Sequence, residues 1–171
     1  MPLLAAWLIA PYGCSRDVVV IEEEIHGFRL GERFKDFEGR VGRRIGLKRI
    51  AAPQSDPREL VYEARRTPDN AEHIERVRLA FHEDRLMEVI LYERVTTVAR
   101  LDALRAQLEE RYNATATSPD GTREMAYKTY WISGPGMSIT LRRITKKPAT
   151  KLYIQYLHDE LHERLKHKAA R

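Results

Sequence analysis

His158 and His162 stand four residues apart in the stretch "LHDELHERLKH", residues 157 to 167. On a helix that spacing puts two imidazoles on one face, where both can ligate a metal ion. A zinc-protease pattern places Glu directly after the first His. Here Asp159 takes that position, and Glu160 follows one step later, rotated by about 100°. A working centre also needs a third ligand, which folding would have to supply from Glu163 or His26. The competing reading is an amphipathic terminal helix whose inner stripe is Leu157, Leu161 and Leu165. Other catalytic patterns are missing. The chain has no Gly-rich phosphate loop, no Gly-x-Ser-x-Gly elbow and no dinucleotide fingerprint. Cys14 as a nucleophile would need a positioned His, and Glu109 and Glu110 read as a solvated helix face. The expectation is a chain without catalytic residues or cofactor, with metal chemistry at His158 and His162 as the open exception.

Charge offers a second kind of chemistry. Thirty Lys and Arg residues against 25 Asp and Glu give a formal charge of +5. The excess gathers in two clusters: Arg40, Arg43, Arg44, Lys48 and Arg49, and then Arg142, Arg143, Lys146, Lys147 and Lys151. Tyr127, Tyr130 and Trp131 fall on a predicted strand, so a basic sheet with stacking platforms for nucleic acid is one reading. Attraction to anionic lipid headgroups suits the same clusters. The bland alternative is charge at element ends, with the aromatics as packing.

The sole cysteine closes the sequence's one strongly apolar run, "LLAAWLIAPYGC". A single cysteine excludes an intramolecular disulfide. Residues Leu3 to Ala10 are too few to cross a hydrocarbon layer of about 30 Å, but they fit a secretory apolar region of about 7–15 residues. Gly13-Cys14 resembles the end of a bacterial lipobox, which would make Cys14 a lipid anchor. No Lys or Arg precedes the run, and Pro11 and Tyr12 replace the Leu and small residue of that pattern. The alternative is a cytoplasmic chain in which Cys14 is a small buried residue.

Positioning any such groups requires a core, and 171 residues with 43% hydrophobic and 32% charged content suffice for one. The reading is a signal-like segment at 1–14 followed by a single α+β domain at 15–171. Val18 to Ile21 and Ile25 to Leu30 read as extended. Phe34, Phe37, Val41 and Ile45 have helical spacing. Leu60 to Arg65 is a strand, and Val77, Leu79 and Phe81 alternate before "HEDR" turns the chain into Leu86 to Tyr92. Val98, Leu101, Leu104, Leu108 and Tyr112 form a second helical stripe. Strands over Met125 to Ile132, Met137 to Leu141 and Leu152 to Tyr156 follow, then a helix from about 157. A helix followed by a three-stranded antiparallel meander thus occurs twice, at about 32–95 and 98–157.

Such a unit, introduced by the Gly-containing lead "GFRLGERF" at 27 to 34, resembles the small envelope lipoproteins of the BamE (SmpA/OmlA) type. Its doubling resembles the tandem arrangement of the beta-lactamase-inhibitor protein. Gly31 matches the family's glycine, whereas Glu32 replaces its methionine and no Gly-x-Pro follows Ile45. The resemblance implies a non-enzymatic envelope lipoprotein or exported protein, on the periplasmic side of a bacterial membrane, that binds another envelope protein. The alternative expectation is a cytoplasmic basic nucleic-acid-binding module.

Overall fold

The computed structural model describes residues 19–50, 59–118, 127–146 and 149–169. Cys14 and Lys147, singled out above, lie outside the described residues. The architecture is α+β. Two minimal strands, β1 (Glu24–Ile25) and β2 (Phe28–Arg29), pair with each other. A short helix α1 (Phe34–Phe37) continues into a π-helical turn, Glu38–Gly42. Strands β3 (Lys48–Ile50), β4 (Glu59–Ala64), β5 (Ile74–His82) and β6 (Arg85–Glu93) follow. Helix α2 (Val98–Tyr112) precedes β7 (Tyr127–Gly134), β8 (Met137–Lys146) and β9 (Ala149–His158), and α3 (Asp159–Ala169) follows β9 directly.

All the long strands enter one antiparallel sheet in the order β3-β4-β5-β6-β9-β8-β7. Alternation along the strands makes one face of that sheet apolar. Val77, Leu79, Phe81, Val89, Leu91, Ile139, Leu141, Leu152 and Ile154 pack there against Phe37, Val41 and Ile45 and against the α2 stripe of Leu101, Leu104, Leu108 and Tyr112. Phe81 is the aromatic hub. Its ring meets Phe34 at 5.1 Å, Phe37 at 5.3 Å and Tyr62 at 5.8 Å, each edge-on.

Local chemistry sets the connections. Glu83 and Asp84 both have positive φ, 49° and 65°, the combination a two-residue hairpin demands. Pro135 and then Gly136, at φ 72°, turn β7 into β8. Thr97 caps α2 by accepting from the Arg100 N–H at 3.2 Å, and Asn113 ends it in the left-handed region.

Three features differ from the sequence expectations. The helical spacing of Phe34 to Ile45 gives only one α-helical turn before the π-helical turn, and Ile45 enters the core from the loop after it. The extended reading of Ile25 to Leu30 is broken by the turn at His26 and Gly27. Strand β3, only three residues long and two of them basic, left no alternation to read.

Helix α3 lies on the opposite side of the sheet, with Leu161 against Val61, Ala80 and Met87, and with Leu157 and Leu165 at the margin. That contact covers only one end of the second face.

Candidate binding face of the sheet

The second face is laid out by strand register. One row crosses four strands as Val61, Ala80, Glu88 and Leu157, and it sits at the α3 contact. Four residues along each of β5, β6 and β9, about 13 Å away, another row reads Arg76, Tyr92, Tyr153, and it continues on β8 as Arg142. Between them runs Arg78, Ile90, Gln155, Thr140 and Trp131. Among the described residues, the apolar packing of α3 stops short of the Arg76 row.

These side chains are organised by one another. Arg76 lies 4.2 Å above the Tyr92 ring centre and pairs with Glu63 at 3.0 Å. Tyr92 and Tyr153 contact each other with ring centres 5.7 Å apart, tilted by 50°. Burial pushes the Tyr92 hydroxyl above its usual pKa, against the opposing pull of Arg76 and Arg78. Glu88 accepts a hydrogen bond from Gln155 Nε2. Burial raises the Glu88 pKa as well, and Arg78 and the Gln155 hydrogen bond only partly offset it. Trp131 stays 40% exposed. Its backbone exchanges two hydrogen bonds with Thr117, at 2.8 and 2.9 Å, so the outer edge of β7 is covered at that point.

The basic clusters are divided by this geometry. Arg40 is a structural group: it clamps Glu32 at 2.9 and 2.6 Å and donates to the Gly27 carbonyl at 2.8 Å. The hydrogen bond from Arg40 to Glu32 raises the guanidinium pKa, and burial only partly opposes it. Arg43 and Arg44 are exposed after the π-helical turn, and Lys48 and Arg49 alternate across β3. In the second cluster Arg142 belongs to the open face, while Arg143 points the other way and donates to the Thr96 carbonyl at 2.7 Å. Lys151 is exposed and has the strand parity of Tyr153. Lys146 closes β8. Tyr130 lies on the core face under Arg105, whereas Trp131 lies on the open face.

The histidine pair is placed differently from the expected helix. His158 is the last residue of β9, held in register opposite Met137, and only His162 lies on α3. Strand pairing persists to residue 158 because β8 begins there, so the helical i,i+4 geometry does not form. Asp159 accepts from the Ser138 hydroxyl at 2.7 Å. His26 is engaged with Asp69 at 2.7 Å. Among the described residues no group of three or more His, Cys, Asp or Glu is arranged to hold a metal ion. Burial, and next Lys166, pulls the His162 pKa down.

Arg76, Arg78, Tyr92 and Tyr153 were not singled out from sequence as binding residues. The signal was present in the alternation of β5, where Arg76 and Arg78 occupy the side opposite Val77 and Leu79. The fold and this face define the class: an α+β protein with one sheet face closed by helices and the other, among the described residues, half covered by α3. No family model, no curated protein and no solved structure matches the chain.

Proposed function

We propose that this chain is a non-enzymatic binding protein of a bacterial envelope, tethered through Cys14, that receives an acidic segment of another protein on the open half of its sheet. The observation that carries this reading is the Arg76–Tyr92–Tyr153–Arg142 row lying beyond the α3 contact. Arg76, Arg78, Arg142 and Lys151 supply four cations on that face, against the carboxylates of Glu59, Glu63 and Glu88. Partly desolvated arginines beside tyrosine rings are the side chains that most often anchor a protein partner. The helix-plus-meander repeat, read as a tandem of two units at 32–95 and 98–157, supports kinship with the BamE type by element order alone.

A second reading, nucleic-acid binding, draws support from Trp131 and the same arginines. The arrangement favours protein. Arg76 already covers one face of Tyr92, and Tyr153 packs against that ring, which leaves little free ring surface for base stacking. Glu63 adds a carboxylate beside Arg76 on the face itself.

The test is photo-crosslinking in cells of the source organism, with the crosslinking residue at position 131 and a control at Gln107 on the outer side of α2. A discrete protein adduct formed from 131 and not from 107 supports the reading. Equal adducts from both positions, or an adduct that is nucleic acid, contradicts it.

A further inference from the structure

A cavity of about 260 Å³ opens where the β4–β5 connection meets the end of β6, lined by Arg65, Arg66, Thr67, Ala71, Ile74 and Arg94, with Asn70 and Glu72 at its side. Its chemistry is distinct from that of the sheet face. Three guanidinium groups face one carboxylate, so the cavity is net cationic. Arg94 is fixed in place: its Nε donates to the Glu72 carbonyl at 2.7 Å and its backbone N–H to the His73 carbonyl at 3.0 Å. That anchoring leaves its terminal nitrogens for a ligand. Arg65 and Arg66 follow β4 directly and are exposed. Neither has a hydrogen-bond or ion-pair partner among the described residues.

An acid of the same turn is already occupied. Asp69 accepts from His26 at 2.7 Å and from the Ala71 N–H at 3.3 Å. Burial raises its pKa, but hydrogen bonds from Thr67 and His26 outweigh that and lower it overall. Asp69 is therefore a carboxylate already hydrogen-bonded by its own neighbours. The loop that carries the cavity is also stiff. Thr67 is buried, its hydroxyl accepts from the Ala71 N–H at 2.8 Å, and Asn70 holds a positive φ of 55°. A firm turn keeps the guanidinium groups from dispersing into solvent.

We infer that this cavity is a binding site for a phosphate-bearing group, taken as a phosphomonoester dianion. Guanidinium groups match the phosphate oxygens in pairs. The volume corresponds to the share of about eight or nine liquid waters, room for phosphate with a small organic group attached. Ile74 and Ala71 supply an apolar floor for that group. A soluble phosphomonoester and a phosphomonoester lipid headgroup present the same chemistry, and the experiment separates them.

Amide NMR shifts of the purified full chain are followed during titration with glycerol 3-phosphate, with sodium chloride at matched ionic strength as the control. The same shifts are followed in an Arg65→Ala, Arg66→Ala double variant, whose thermal melting is checked against the parent. Saturable shifts at Thr67, Ala71, Ile74 and Arg94, weakened about tenfold or more in the double variant, support the site. Flotation with phosphatidylcholine vesicles, with and without phosphatidic acid, identifies the source. Arginine-dependent binding to the phosphatidic acid vesicles points to a headgroup, and binding of the soluble ester alone points to a free ligand. No saturable shift, or equal affinity in parent and double variant, overturns the inference. The sheet-face reading stands or falls separately, because none of these residues lies in the Arg76 row.

Discussion

The guanidinium of Arg100 grips Glu93 through two nitrogens, each 2.9 Å from the same carboxylate oxygen, with the Glu93 side chain wholly out of solvent. Among the described residues the other oxygen, Oε1, has no hydrogen-bond partner and only a distant His73, at 3.9 Å. The pair joins the end of β6 to the first turn of α2 across the core face. Removing the cation strands a buried anion, whereas removing a solvated surface pair would cost little. Arg100→Ala is therefore expected to destabilise the fold by about 3–5 kcal/mol, read from urea denaturation. A loss below about 1 kcal/mol would place the pair among ordinary surface contacts.

Gly134 makes a steric prediction. A Cβ at this position would stand 2.6 Å from the Val19 carbonyl oxygen and 3.3 Å from Ile21. The segment at 19–21 therefore lies across the end of β7 with room for hydrogen only. Gly134→Ala must push that backbone away, and Ile21 with it. A cost of about 1–3 kcal/mol is expected, with increased amide exchange at Ile21 and Glu22 as the local signature. Unchanged exchange there would contradict the close approach.

Glu88 predicts a pH dependence. Burial raises its folded-state pKa above the unfolded value, so between those two values the native state binds more protons than the unfolded chain. Its contribution to stability thus falls as pH rises through that window. Glu88→Gln removes the titration. The stability of the variant relative to the parent is expected to improve from pH 4 towards neutrality, in denaturation curves taken across that range. A difference that stays flat with pH would show that Glu88 does not titrate abnormally.

The anchor is tested by intact mass spectrometry of the protein expressed with its natural upstream region. A mature chain beginning at an acylated Cys14 is expected, and Cys14→Ser should abolish the processing. An unmodified Met1 terminus in the soluble fraction removes the tether from the proposal, leaving the sheet face unaffected.

Much of the fold was legible because alternation and helical spacing are local. Val77, Leu79 and Phe81, the "HEDR" turn, and the α2 stripe of Leu101 to Tyr112 identify their elements from neighbours within a few residues. The order of strands was not legible. The juxtaposition of β6 with β9 unites segments about sixty residues apart, and no short-range pattern encodes it. The candidate face depends on that pairing, which alone puts Tyr92 beside Tyr153. Charge clusters in the sequence misled for the same reason. Arg142 and Arg143 are neighbours in the chain but lie on opposite faces of one strand, and Arg40 is spent on Glu32.

The most direct test of the open sheet face is the yield of the protein adduct crosslinked from position 131, compared between the parent and an Arg76→Glu, Arg142→Glu double variant. Matched levels of folded protein are confirmed by circular dichroism. Charge reversal is expected to remove the adduct while the protein stays folded. An adduct of undiminished yield in the double variant would contradict it.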